Sequence, residues 1–158
     1  PGITYYFCAI VSNAYGTAFG AVLSFTTWAA PTVTTSAATG MTSTAATLNG
    51  SANPNGSDTT AWFRYSTTNP GTCNDSFGTR APASGGSPLG AGASAVSYSR
   101  SLSGLTPGTE YYFCAIAQNS QGTAYGSVLS FTTTHPLSVT TNAARFGLPQ
   151  NTSSADRA

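Results

Sequence analysis

Few side chains in this sequence are equipped for chemistry. The acids are Asp58, Asp75, Glu110 and Asp156, the bases are five Arg with no Lys, and His135 is the single histidine. Acid–base or nucleophilic catalysis needs a base within hydrogen-bond reach of the reacting group and a further residue to orient it. His135, in Thr134-His135-Pro136, has no other titratable residue near it in sequence. The four acids are too few and too dispersed for a carboxylate pair or a calcium cage. The three cysteines, Cys8, Cys73 and Cys114, lack the close Cys and His spacing of a zinc site. No catalytic, metal or cofactor-binding residue is expected, and an enzyme active site is not. Thiol oxidation remains, together with glycosylation of the Asn-x-Ser/Thr sequons at Asn49, Asn55, Asn74 and Asn151.

The cysteines become legible through a repeat. Residues 1–27, PGITYYFCAIVSNAYGTAFGAVLSFTT, return as residues 107–133, PGTEYYFCAIAQNSQGTAYGSVLSFTT, with 19 of 27 positions identical at an offset of 106 residues. The hexapeptide VTTSAA at 33–38 returns as VTTNAA at 139–144, at the same offset. A period of this length is one domain and not a solenoid turn. The expected organisation is a complete module over residues 31–133. Residues 1–27 would be the last two strands of a preceding repeat, and residues 137–158 the first strand or strands of a following one. One period of about 100 residues can bury a single core, whereas the remaining 52 cannot form a second domain unaided. Two completions of those ends stay open: a longer polypeptide, or strand addition between neighbouring subunits.

Cys8 and Cys114 occupy the same position in successive modules, so the expected bridge is Cys73 with Cys114. Cys8 would then pair with a counterpart upstream of Pro1. Such a bridge ties the segment after the third strand to the outer face of the sixth, and closing a loop of about 40 residues stabilises by on the order of 4 kcal/mol in the chain-entropy picture. Two other readings stay open: three free thiols in a reducing compartment, or an intermolecular disulfide at Cys8.

These residues sit on a chain patterned for strands. Residues 31–38 read as an edge strand opened by proline, and 44–50 as a second strand alternating small or apolar with polar side chains. Asn53-Pro54-Asn55-Gly56 is turn chemistry. Residues 60–66 form a third strand, with Ala61, Phe63 and Tyr65 on one face and Trp62 and Arg64 on the other. A long Gly/Pro/Ser-rich excursion follows over 67–95, with one short strand expected at 76–80; loops of this length in compact domains are functional or mobile. Residues 96–102 give another strand, in which strict alternation puts Arg100 on the side of Leu102. That marks either a bulge or a position at the rim. From 111 onward, alternation places Tyr111, Phe113, Ala115 and Ala117 inside and Tyr112, Cys114 and Ile116 outside. A hairpin loop at 118–122 and a closing strand at 125–133 complete the pattern. Seven short strands in about 100 residues indicate an all-β antiparallel sandwich.

Composition narrows the partners. Only 6% of residues are charged and the net charge is +1, so no basic cluster exists to neutralise nucleic-acid phosphates or an anionic membrane. No apolar run approaches the 18 or more residues of a membrane-spanning helix. Ser and Thr make up about 30% of the chain, a hydroxylated surface that suits secreted and cell-surface proteins. Disorder, the other state that Ser, Gly and Pro enrichment signals, is opposed by aromatics at 11% in strand-like alternation.

Leu105-x-Pro107-Gly108-Thr109-x-Tyr111, followed by alternating apolars, a turn and a closing strand ending in Phe131-Thr132-Thr133, resembles the end of a fibronectin type III domain. The form is the one common in tandem arrays on prokaryotic surface proteins. The resemblance implies a seven-stranded fibronectin type III-like β-sandwich in tandem repeat. It also implies a core tyrosine at Tyr111 whose hydroxyl bonds back to the preceding connection, with Tyr5 doing the same. The long insertion after the third strand, and the lack of a tryptophan on the second, depart from the family pattern.

Outward-facing Trp62, Tyr112 and Ile116 have two readings. They form an aromatic and apolar contact strip for a neighbouring module, a sugar or another chain, or the 67–95 segment covers them. The short junctions at 28–31 and 134–138, each with a proline, favour a rod over freely jointed beads. The leading expectation is a non-enzymatic extracellular or cell-surface structural protein. Its partners would be adjacent repeats or copies of itself, in a filament, appendage or stalk. An adhesin or carbohydrate-binding module reading through the 118–125 loop and the 67–95 excursion is the first alternative, and a spacer in a secreted polysaccharide-degrading enzyme is the second.

Overall fold

A computed structural model describes residues 3–137; the expected following-repeat strands at 138–158 and the sequon at Asn151 lie outside the described residues. Within them every regular element is a strand, and no helix is long and apolar enough to cross a membrane. Four short strands come first: β1 (Thr4–Phe7), β2 (Ile10–Asn13), β3 (Gly16–Phe19) and β4 (Leu23–Thr26). They are followed by β5 (Thr32–Thr39), β6 (Ala45–Asn53), β7 (Thr59–Ser66), β8 (Thr79–Ala81), β9 (Ser87–Gly90), β10 (Val96–Ser103), β11 (Glu110–Asn119), β12 (Gly122–Tyr125) and β13 (Leu129–Thr132).

Residues 31–133 fold as two antiparallel sheets facing each other. One has the order β10-β6-β5; in the other β11 lies between β7 and the pair β12 and β13, and the far edge of β7 carries β8 and β9. The period-2 burial of β6 follows its sequence, with Ala46, Leu48 and Ala52 buried on one side and exposed or half-exposed polar neighbours on the other. Opposite them stand Ala61 and Phe63 of β7 and Tyr111, Phe113, Ala115 and Ala117 of β11, all in one apolar cluster with Leu102, Leu105 and Phe131. Both faces of β7 and β11 are therefore as alternation requires. Fully burying side chains of this kind stabilises by about 1.5–3 kcal/mol each. Truncating Phe113, which is fully buried, would cost about 3–5 kcal/mol.

β5 pairs with β6 and also reaches across to the opposite sheet. Its register with β6 shifts between Ser36 and Thr39, and ahead of the shift the buried Thr35 hydroxyl accepts the Ala115 N–H of the opposite sheet at 3.1 Å. The tyrosine expected to anchor the β10–β11 connection does so: the Thr106 N–H donates to the Tyr111 hydroxyl at 3.0 Å. Arg100 proves to be a rim residue, because it is exposed while the β10–β6 register runs without a shift from Val96 to Ser103. The excursion carries more strand than its sequence signalled. β8 pairs with Phe63 to Tyr65, and β9, with Pro88 opposite Thr60, takes the remaining edge of β7. A proline on an edge strand removes no ladder bond from the sheet interior.

Residues 3–26 form two separate two-stranded pieces, β1 with β4 and β2 with β3. Their registers are those of β11 moved by 106 residues. Tyr5 stands opposite Phe25 as Tyr111 stands opposite Phe131, and Asn13 opposite Gly16 as Asn119 opposite Gly122.

Candidate functional site

The outer face of β7 and β11 holds the densest cluster of functional side chains. Alternation brings Trp62 opposite Ile116 and Arg64 opposite Cys114 on adjacent strands. Above them the excursion returns in a tight turn nucleated by Asn74, whose Oδ1 accepts the N–H groups of Ser76 and Phe77 and the Ser76 hydroxyl. The turn places Cys73 over Cys114, and the two are joined in a disulfide with Cα atoms 6.0 Å apart. It also places Asp75 between Trp62 and Arg64. One carboxylate oxygen, Oδ1, accepts both the Trp62 indole N–H at 2.8 Å and the Arg64 Nε–H at 2.9 Å. The remaining Arg64 nitrogens donate to the carbonyls of Asp75, Phe77 and Gly78. Arg80 then lies over the indole, with its guanidinium carbon 4.4 Å from the ring centroid. A stacked cation of this kind contributes about 0.5–2 kcal/mol.

The excursion thus covers the outer face. Trp62 is 5% exposed and Ile116 and Cys114 are fully buried, with Cys73, Phe77 and Val128 packed against them. Of the two readings of Trp62, Tyr112 and Ile116, cover by the 67–95 segment is the one the structure shows, and the contact-strip alternative is corrected for Trp62 and Ile116. Two of its members belong to a second core, and only half-exposed Tyr112 reaches the surface, where its hydroxyl donates to the Glu110 carboxylate at 2.8 Å. That hydrogen bond, with lesser contributions from desolvation and the carboxylate charge, raises the Tyr112 pKa. Alternation put Arg64 on the outer face with Trp62 but named no partner for it, and Asp75 and Arg80 had no assigned role. The available signal was spacing: Arg64 shares the outer face with Trp62, and Asp75 follows Cys73 by two residues.

The polar groups of the cluster are bonded largely to one another. Among the described residues no three His, Cys, Asp or Glu side chains come together, and the Asp75 oxygen at the centre of the cluster already holds two donors. The sequons differ in availability. The Asn49 amide nitrogen donates to the carbonyls of Ala37 and Thr47 and to the Thr39 hydroxyl, and that of Asn55 donates to the Ala30 carbonyl at 2.7 Å. Asn74 commits its oxygen to the turn, and its nitrogen makes only a long 3.4 Å contact with the Thr72 carbonyl.

The exposed apolar surface lies elsewhere, on residues 3–27. Ile3, Tyr5, Phe7, Val11, Leu23 and Phe25 are all more than half exposed except Tyr5, at 47%. Their mutual packing repeats that of the core: Tyr5 stacks on Phe25 at 5.4 Å between centroids, as Tyr111 does on Phe131 at 5.5 Å. Cys8 is exposed and free among the described residues. The hydroxyl bond expected of Tyr5 is not made among the described residues.

No protein-family model and no curated protein matches the chain. Among solved structures it is similar to the sensor domain of the anti-sigma factor RsgI4 of Pseudobacteroides cellulosolvens. That likeness has 18% identity over 70% of this chain and 96% of that one, with a TM-score of 0.46. A solution structure of the same sensor domain gives 17% identity over 74% and 86% of the two chains, with a TM-score of 0.45. The FN1–FN3 domains of chicken CNTN1 give 19% identity over 85% of this chain and 43% of that one, with a TM-score of 0.42.

Proposed function

We propose that the chain is a non-enzymatic, extracellular structural protein, part of a tandem array of fibronectin type III-like modules that builds a filament, appendage or stalk. The observation that carries this reading is the 106-residue equivalence of residues 3–27 and 109–133 in sequence, in strand register and in aromatic stacking. In residues 109–133 the apolar face is buried against β5, β6 and β7. In residues 3–27 the same face has no second sheet over it among the described residues, although its aromatic packing and register are those of the covered copy. Its natural complement is a sheet pair like the one that covers the second copy. A disulfide supports an oxidising compartment, and the shortage of charged side chains leaves hydroxyls and apolar contacts as the means of assembly. Electron microscopy of the native material tests the reading. Ordered filaments with an axial repeat of one or two modules are the expected result, and isolated particles or flexible strings would reject it.

A further inference from the structure

The residues at the two ends of the module are held by side chains that neither the core nor the covered outer face uses. On leaving the module, Thr133 is bonded back to the β10–β11 connection: its N–H donates to the Thr109 carbonyl and its hydroxyl to that of Thr106, while it accepts the Thr109 N–H at 3.0 Å. Thr134 continues the attachment, donating to the Thr42 carbonyl at 3.0 Å and accepting the Gly108 N–H at 3.3 Å. His135 then lies across Gly108, which has φ 60° and where a Cβ would clash with the imidazole ring.

On entering the module the attachments are different. The Asn119 side-chain amide, 9% exposed, donates to the carbonyls of Ala29 at 2.9 Å and Pro54 at 3.1 Å, and its oxygen accepts the Gln121 N–H. Asn55, held at φ 54°, donates its amide to the Ala30 carbonyl at 2.7 Å. The Trp28 indole rests over Gly56, where φ is 89° and a Cβ would stand 3.3 Å from the ring.

From these contacts we infer that consecutive modules are joined with no free backbone between them. The end of one module, formed by Thr42 and residues 106–109, and the asparagine-lined end of the next, formed by Asn55, Gly56 and Asn119, share one bonded linker. The inference rests on the array reading proposed above. At the 106-residue offset, positions 133 and 134 correspond to 27 and 28, and positions 135 and 136 to 29 and 30. The exit bonds therefore occupy the first two linker positions and the entry bonds the last two. Thr27 supplies the overlap. Its N–H donates to the Ile3 carbonyl at 2.9 Å and it accepts the Ile3 N–H at 3.1 Å, the two bonds that Thr133 makes with Thr109. Asn13 likewise accepts the Tyr15 N–H at 2.9 Å as Asn119 accepts that of Gln121, so the asparagine-capped turn recurs too. The partner this surface fits is a module of the same kind, presented in one orientation.

The test is amide relaxation by nuclear magnetic resonance on the full chain, with fully exposed Leu137 as the internal reference for free backbone. Amides of Trp28, Ala29, Ala30 and Thr134 are expected to show the heteronuclear NOE of β6. Asn55→Gly keeps the positive φ and deletes only the bond to Ala30, while Ala29 stays bonded to Asn119 and to the Asn55 backbone carbonyl; it is expected to lower the NOE at Ala30 toward that of Leu137 while leaving the module's melting temperature in place. Linker amides that match Leu137 in the unsubstituted chain, or an Ala30 amide that does not respond to Asn55→Gly, would overturn the inference whatever microscopy shows. Rigid linker amides without an axial repeat would instead reject the array and leave the bonded linker standing.

Discussion

Trp62→Ala separates the two readings of the outer face. The side chain is 5% exposed, donates its indole N–H to Asp75 and lies under Arg80. Truncating a buried tryptophan costs about 3–5 kcal/mol, the lost hydrogen bond and cation stacking being part of the range. Against a total stability of about 5–15 kcal/mol for a domain of this size, that is a large fraction. At about 4–8 °C per kcal/mol, the melting temperature should fall by about 12–40 °C. Far-UV circular dichroism is the suitable probe, because Trp28 remains and complicates fluorescence. Trp62→Phe, which keeps most of the bulk and removes the N–H, should lose only about 1–2 kcal/mol. An unchanged melting temperature in Trp62→Ala would refute the reasoning, for it would mean that the 67–80 cover is not seated on the indole.

Other expectations follow from single contacts. Thiol titration under denaturing conditions should find one reactive thiol, Cys8, before reduction and three after it, and reduction should cost up to about 4 kcal/mol. Tyr111→Phe removes the acceptor of the Thr106 N–H and should cost about 1–2 kcal/mol in chemical denaturation without altering the fold's circular dichroism. Burial raises the Tyr98 pKa well above its ordinary 10.0. The stabilisation from keeping it neutral is thus complete below about pH 10 and is lost as pH rises above it, so the melting temperature should fall on the alkaline side. In a host that glycosylates sequons, mass spectrometry of the secreted chain should find sugar on Asn74 and not on Asn49 or Asn55, whose amide nitrogens are already engaged.

The two-sided reading of β7 and β11 was legible because period-2 alternation is a local signal, and Phe63, Phe113 and Tyr111 obey it. The rim position of Arg100 was legible as one of two outcomes, since a guanidinium on a core-facing register must either leave the register or reach its edge. What could not be read is the lock around Asp75. It depends on where an aperiodic excursion returns, and Trp62 and Arg64 acquire their partner only through that return. β9 escaped for a related reason: Ser87-Pro88-Leu89-Gly90 buries one side chain, Leu89, and offers no alternation to detect. The cover also explains why Trp62 and Ile116, with outward register, are buried while Tyr112 beside them reaches the surface.

The disulfide bears on how such a module behaves under tension. In the array proposed above, a pull applied through the linkers would enter near residue 28 and leave near residue 134, so Cys73 and Cys114 would lie between the points of load. With the bridge intact, the 41-residue span from one cysteine to the other stays looped when the sheets part, which withholds about 140 Å of contour length at roughly 3.4 Å per residue. A stretched module would therefore yield by a shorter step in an oxidising medium than in a reducing one. Redox state would then set extensibility as well as stability.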